Sequence, residues 1–194
     1  MDEKRTEITD LRVLAALAHP VRVQLLNFLL GTGQHTATEC AVVVEASPSA
    51  CSYHLRQMER FGLVERVSPD DVDAPDGRER VWRATATGFS FGGPPSADRP
   101  AERSARQALG VLGIDEAARL ARRYVNHADT LDEVWQDAAG FATYGLAVTA
   151  EELHDLTDAI DAAVRPFIAA TRHDRPDGSE AVHVTVQAFR RPDP

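Results

Sequence analysis

Between Pro20 and Gly62 the chain carries an unusually dense set of helix starts and stops, and these limit what it can fold into. Pro20 is placed to open a helix whose face carries Val21, Leu25, Phe28 and Leu29, and Gly31 stops it. Thr36 followed by Glu39 is a capping box, which predicts a short helix from Ala37 to about Val44. After the break at Glu45-Ala46, Ser47 can cap and Pro48 can occupy the first turn of a further helix that runs to Gly62. Upstream, Leu11, Leu14, Leu17 and Ala18 recur at helical spacing. Downstream, two β-prone segments, residues 63–67 and 80–84, flank the polar, turn-forming run SPDDVDAPDGRE and read as a hairpin with a long loop.

Helix, helix, short helix, tight turn, helix and two-stranded hairpin is the order of a winged helix-turn-helix. A helix used this way buries one face and offers the other to a major groove wide enough to admit it. Cys51, Leu55, Met58 and Phe61 lie at helical spacing and form the predicted buried face. Ser49, Ser52, Tyr53 and Arg56 lie toward the other side, with His54 at its margin.

The runs ALAHPVRVQLLNFL, TATECA, SPSACSYHLRQMERFGLVE and GRERVWRAT resemble the ArsR-type winged-helix transcription regulators over residues 8–88. The resemblance implies a homodimer on an inverted-repeat operator in double-stranded DNA, acting as a repressor released by an effector. It also implies the contacts. Ser47, Ser49, Ala50, Ser52, Tyr53, His54 and Arg56 are the expected DNA-binding residues of the recognition helix, and Arg78 and Arg80 map to the wing, within reach of phosphate or the minor groove. Two features depart from the pattern. Glu45-Ala46 stand in a turn where the family often has glycine, and the wing loop is acidic through Asp70, Asp71, Asp73 and Asp76. Residues 47–83 hold 6 basic and 7 acidic side chains, so positive charge has to be sorted onto one face for DNA to bind. The rival reading is a winged helix that binds protein and no longer binds DNA.

The stretch SFGGPPSADRP suits a linker, and it divides residues 1–92, the expected winged helix-turn-helix domain, from residues 97–194, an expected dimerisation or effector domain. The second part predicts a long helix from about Ala101 to Ala138, then strand–helix–strand: 141–148, a helix capped by Thr149 and Glu152, and 181–189. The fold class is therefore mainly α with small β, a winged helix followed by an α/β unit. Trp135, Phe141, Tyr144 and Phe167 are candidates to line an apolar effector pocket.

Several function classes are disfavoured. The net charge of −9 argues against indiscriminate polyanion binding. No apolar run is long enough to span a bilayer, and the N-terminus lacks the order of a signal peptide, so a cytoplasmic protein with no membrane partner is expected. There is no Gly-rich phosphate loop, no G-x-S-x-G and no H-E-x-x-H, which disfavours an enzyme. Cys40 and Cys51 are isolated from one another in sequence, and the histidines show no zinc-site spacing, so neither a metal nor a cofactor is expected. The two cysteines fall on helices that pack together, where disulfide distance is geometrically attainable.

Overall fold

The computed structural model describes residues 6–67, 80–90, 100–168 and 175–191. Its elements are, in order, β1 (Thr6–Glu7), α1 (Leu11–Leu17), α2 (Pro20–Thr32), β2 (His35–Thr36), α3 (Ala37–Val43), α4 (Pro48–Glu59), β3 (Val64–Arg66), β4 (Val81–Ala84), β5 (Phe89–Ser90), α5 (Pro100–His127), α6 (Glu133–Ala138) and α7 (Ala150–Val164). A three-stranded antiparallel sheet has the order β2-β4-β3, with Val64 opposite Ala84, Arg66 opposite Trp82, and His35 opposite Trp82 on the other edge. β1 and β5 form a separate, two-residue parallel pair. The helical class with a small sheet is the expected one.

Local chemistry explains the N-terminal elements. Asp10 caps α1 by accepting from the Arg12 backbone N–H at 2.8 Å, and Pro20 opens α2. The Thr36–Glu39 capping box forms in both directions, with the Thr36 N–H donating to Glu39 Oε2 at 2.7 Å and the Glu39 N–H donating to Thr36 Oγ1 at 3.2 Å. Ser47 caps α4, and the turn before it places Glu45 at φ 53, in the left-handed region that glycine tolerates best. At the other end of α4, Gly62 takes φ 66, and the Leu63 N–H returns to the Met58 carbonyl at 3.1 Å. The chain then enters β3, and Thr85 Oγ1 donates to the Gly62 carbonyl at 2.6 Å.

The core is made of Leu14 and Leu17 from α1, Leu25, Leu26 and Leu29 from α2, Cys40 from α3, and Cys51, Leu55 and Met58 from α4. Leu63, Val64 and Trp82 close it from the sheet side, and Leu109 of α5 joins it. Phe61 does not complete the α4 face; it stands at the surface because the helix has already ended at Glu59. Among the described residues no single helix is long and apolar enough to cross a membrane; α1 and α2 qualify only as a pair, bent by 94°, and Leu14, Leu17, Leu25, Leu26 and Leu29 of the pair are buried in this core.

Contacts divide the chain into residues 1–116 with 168–182, and residues 117–167 with 183–194. The second unit corrects several expectations. The long helix stops at His127 rather than Ala138: a 3-10 turn at Ala128–Thr130 follows, Thr130 Oγ1 donates to the His127 carbonyl, and Asp132 precedes α6. Gly110 and Gly113 sit within α5 without breaking it. Residues 141–148 and 181–189 form no strand within the chain. A strand requires a neighbour to take its backbone hydrogen bonds, and neither segment has one among the described residues. Only the helix of the expected strand–helix–strand is present, with both directions of its Thr149–Glu152 capping box, and it gives way to a 3-10 turn at Arg165–Phe167, where Pro166 lies. Phe141, Tyr144 and Phe167 are 65–80% exposed.

Glu45→Gly should stabilise the protein by about 0.5–1 kcal/mol, the left-handed penalty of a side chain less the entropy that glycine adds to the unfolded chain. Chemical unfolding measures this directly. An unchanged or lower midpoint would show that the α3–α4 turn is not strained.

Candidate nucleic-acid interface

α4 is built to be seated on one side and polar on the other. Cys51, Leu55 and Met58 are fully buried, each a turn apart, against α2, α3 and β3. The opposite side starts at the cap, where Ser47 Oγ accepts from the Ala50 N–H at 3.2 Å and lies 3.0 Å from Ser49 Oγ. Ser49, Ser52 and Arg56 follow at helical spacing and line a cleft of about 430 Å³ together with Ala37 and Thr38 from the start of α3, Pro48, Arg80 and Trp82. Helix-turn-helix and sheet thus meet around one polar concavity.

Charge is sorted around this cleft. Arg12 pairs with Asp10 at 2.8 Å, Arg66 with Glu59 at 2.9 Å, and Arg83 with Glu65 at 2.7 Å. Arg66 also lies over the Trp82 ring, 5.2 Å from its centroid. Arg56 and Arg80, both exposed, have no such carboxylate partner among the described residues. Among the described residues no carboxylate pairs with the two guanidiniums that line the cleft, which suits them to meet an anion from outside.

The expected contact residues separate into three groups. Ser49, Ser52, Arg56 and Arg80 come together in the cleft, and Ser47 sits at its edge as the cap. Tyr53 projects outward, 55% exposed, and Ala50 is half-buried beside it. His54 instead turns inward, its ring 4.5 Å from that of His19 and 5.3 Å from that of Tyr53. Arg78 lies outside the described residues. Thr38, Trp82 and Arg22 were not singled out by sequence. Thr38 and Trp82 carried only a cap-adjacent and a strand signal, whereas Arg22 stood inside the AHPVR run.

The His19–Arg22–His54 cluster ties the start of α2 to the middle of α4. His19 Nδ1, Arg22 Nε and His54 Nδ1 are all buried with no hydrogen-bond partner among the described residues. Burial lowers the pKa of His19, and Arg22 lowers it further; burial, His19 and Arg22 together lower that of His54. The cysteines are held in the opposite sense to a metal or redox site. Burial pushes the Cys40 thiol up to about 12, with Cys51 and Glu39 adding to the effect, and burial raises Cys51 as well. Among the described residues no three His, Cys, Asp or Glu side chains gather to hold a metal ion.

Residues 19–66 match the model of the bacterial regulatory proteins of the ArsR family. The chain belongs to the ArsR family through its N-terminal domain. Three solved structures similar to it illustrate the range. One is the homodimeric winged helix-turn-helix DNA-binding domain of a possible ArsR-family transcriptional regulator from Mycobacterium bovis (23% identity, 54% of this chain and 76% of that one, TM-score 0.33). Another is a possible transcriptional regulator for arsenical resistance (30% identity, 60% and 97%, TM-score 0.32). The third is the PcaV transcriptional regulator from Streptomyces coelicolor in complex with its natural ligand (18% identity, 81% and 75%, TM-score 0.28). At these TM-scores the superpositions carry nothing for the chain as a whole, and no curated protein matches it. Within this ArsR domain the matched segment runs from His19 to Arg66, so it contains both histidines of the cluster and all of α4.

The histidines make stability depend on pH. Both hold protons less tightly when folded than at their ordinary 6.5, so the unfolded chain takes up protons first. Stability is therefore full above that value and falls as the pH drops below it. Denaturant midpoints should decline between about pH 7.5 and about pH 5.5, and a His19→Asn/His54→Gln variant should lose less over that interval. Equal losses in the two proteins would remove the histidines as the cause.

Proposed function

We propose that the chain is a cytoplasmic, homodimeric transcription regulator that represses from an inverted-repeat operator, reading the major groove with α4. The observation that carries this reading is the cleft at the α4–sheet junction, where Ser49, Ser52, Arg56 and Arg80 converge and both arginines lack a carboxylate among the described residues. Hydroxyls and guanidiniums on one helix face match the donor and acceptor edges of base pairs and the phosphates beside them. Arg56 is assigned to a base edge, being on the recognition helix, and Arg80 to phosphate, being at the base of the wing. Ser47, Ala50 and Tyr53 extend the contact along the helix, and Arg78 adds to it from the wing. His54, by its place against His19, holds α4 at its angle. Residues 97–194 are assigned to dimerisation and to the response to a small-molecule effector.

Binding-site selection from a random duplex library, followed by anisotropy on the selected site at two salt concentrations, tests this. An enriched inverted repeat supports a dimeric regulator and supplies its operator. Failure to enrich any sequence at low salt would favour a winged helix that binds protein. On the selected site Arg56→Ala should cost about 1–3 kcal/mol of specific affinity. Arg80→Ala should weaken all sequences alike and flatten the salt dependence by about one unit. Equal affinity of Arg56→Ala and wild type for the selected site would defeat the base-contact assignment.

A further inference from the structure

The start of α2 holds a charge that nothing in the described chain answers. Arg22, in the first turn of that helix, is half-buried, and its Nε is sealed from water with no hydrogen-bond partner among the described residues. Its two terminal nitrogens are not sealed in this way and make no hydrogen bond among those residues. No described carboxylate pairs with it, whereas Arg12, Arg66 and Arg83 each have one. The ionisable groups around it are the imidazoles of His19 and His54, which supply no negative charge, and the phenol of Tyr53. A guanidinium withdrawn from water is costly unless an anion meets it, and burial accordingly lowers the pKa of Arg22. A cation in a first turn also faces the positive end of the helix dipole. Both effects are relieved by an anion supplied from outside, for which the guanidinium fork is the fitting donor.

The place of this charge says which anion. Residues advance by about 100° each around a helix. A circuit of α4 therefore meets the cleft residues Ser49, Ser52 and Arg56, then Tyr53, then His54, and then the buried Cys51, Leu55 and Met58. Arg80 stands on the cleft side. His19, 4.5 Å from His54 ring to ring, brings the start of α2 to the other side, beyond the exposed Tyr53, and Arg22 comes with it. A helix laid in a major groove runs between two sugar–phosphate strands, so cations on its two flanks meet a phosphate each. We propose that Arg22 contacts a backbone phosphate on the strand opposite the one met by Arg80, so that the two arginines straddle α4 in the groove. The phosphate is the counter-anion that the α2–α4 junction lacks. Such a contact carries no sequence information; it fixes how the base-reading face is set into the groove.

The inference rests on the DNA-binding reading above, and the experiment separates the two. Anisotropy of the full chain is measured on the selected duplex and on an unrelated duplex across a salt series. Arg22→Gln should lower the slope of log affinity against log salt by about one, so that a fourfold rise in salt costs wild type roughly three- to fourfold more affinity than it costs the variant. The loss should be equal on both duplexes. Arg22→Lys, which keeps the charge and loses the fork, should keep the slope and bind the intact selected duplex less well than wild type. Replacing phosphates of that duplex one at a time by neutral methylphosphonates should then reveal one position at which wild type and Arg22→Lys bind equally. This second arm needs no glutamine variant and decides the matter even where Arg22→Gln does not fold. A folded Arg22→Gln with an unchanged slope, or a lysine deficit that persists at every methylphosphonate position, overturns the contact and leaves the DNA-binding reading standing. A wild type that binds neither duplex at low salt overturns both.

Discussion

The seating of α4 governs the N-terminal domain. Cys51, Leu55 and Met58 are buried to the last atom, and the neighbours that bury them come from α2, α3 and β3. Because interiors are close-packed, a helix held by three such residues has little freedom to roll, and its opposite face is aimed by the same contacts. Ser49, Ser52 and Arg56 therefore owe their common direction to the buried side chains on the other face of the helix. The return of the chain through Gly62 into β3 then brings β4, and with it Trp82 and Arg80, to the same side.

The N-terminal elements were legible because each is announced by local chemistry. The Thr36–Glu39 box, Ser47-Pro48 and Gly62 act within one turn of the chain, so a linear reading finds them. The inward rotation of His54 was not legible, since it depends on His19 arriving from another helix. Trp82 was recognisable as a strand residue but not as a wall of the cleft, because that role needs the packing of β4 beside α3 and α4. The C-terminal strands show the reverse error. Residues 141–148 and 181–189 have the right periodicity, yet periodicity says only which side chains share a face and nothing about whether a neighbouring strand exists. The 3-10 turn that ends α5 was missed for a similar reason: Ala128–Thr130 has no glycine or proline to mark it.

The buried nitrogens between α2 and α4 stand apart from the rest of the core. Unpaired polar atoms in an interior are costly, and here, among the described residues, three lie in one cluster, two of them on imidazoles whose pKa burial lowers. The apolar contacts of α4 hold this cluster together against that cost. The contact beside α4 is therefore weaker than the leucine core behind it, and His19 is linked to Tyr53 through His54 by two ring-to-ring contacts.

Net acidity and DNA binding are compatible when the charges are arranged as they are here. The chain carries −9 overall, and three arginines of the N-terminal domain are neutralised by neighbouring carboxylates. Such a surface gains little from a phosphate backbone met in an arbitrary orientation, because non-specific affinity scales with the number of cations presented. Arg56 and Arg80 are presented together only when the cleft itself faces the duplex. Acidity elsewhere on the chain then lowers affinity for wrong sites and wrong orientations more than for the right one. For the proposed regulator this raises the ratio of specific to non-specific binding, the quantity that matters against an excess of competing sites. On this view the acidic balance of the sequence is one of the means by which a shallow, two-arginine surface discriminates.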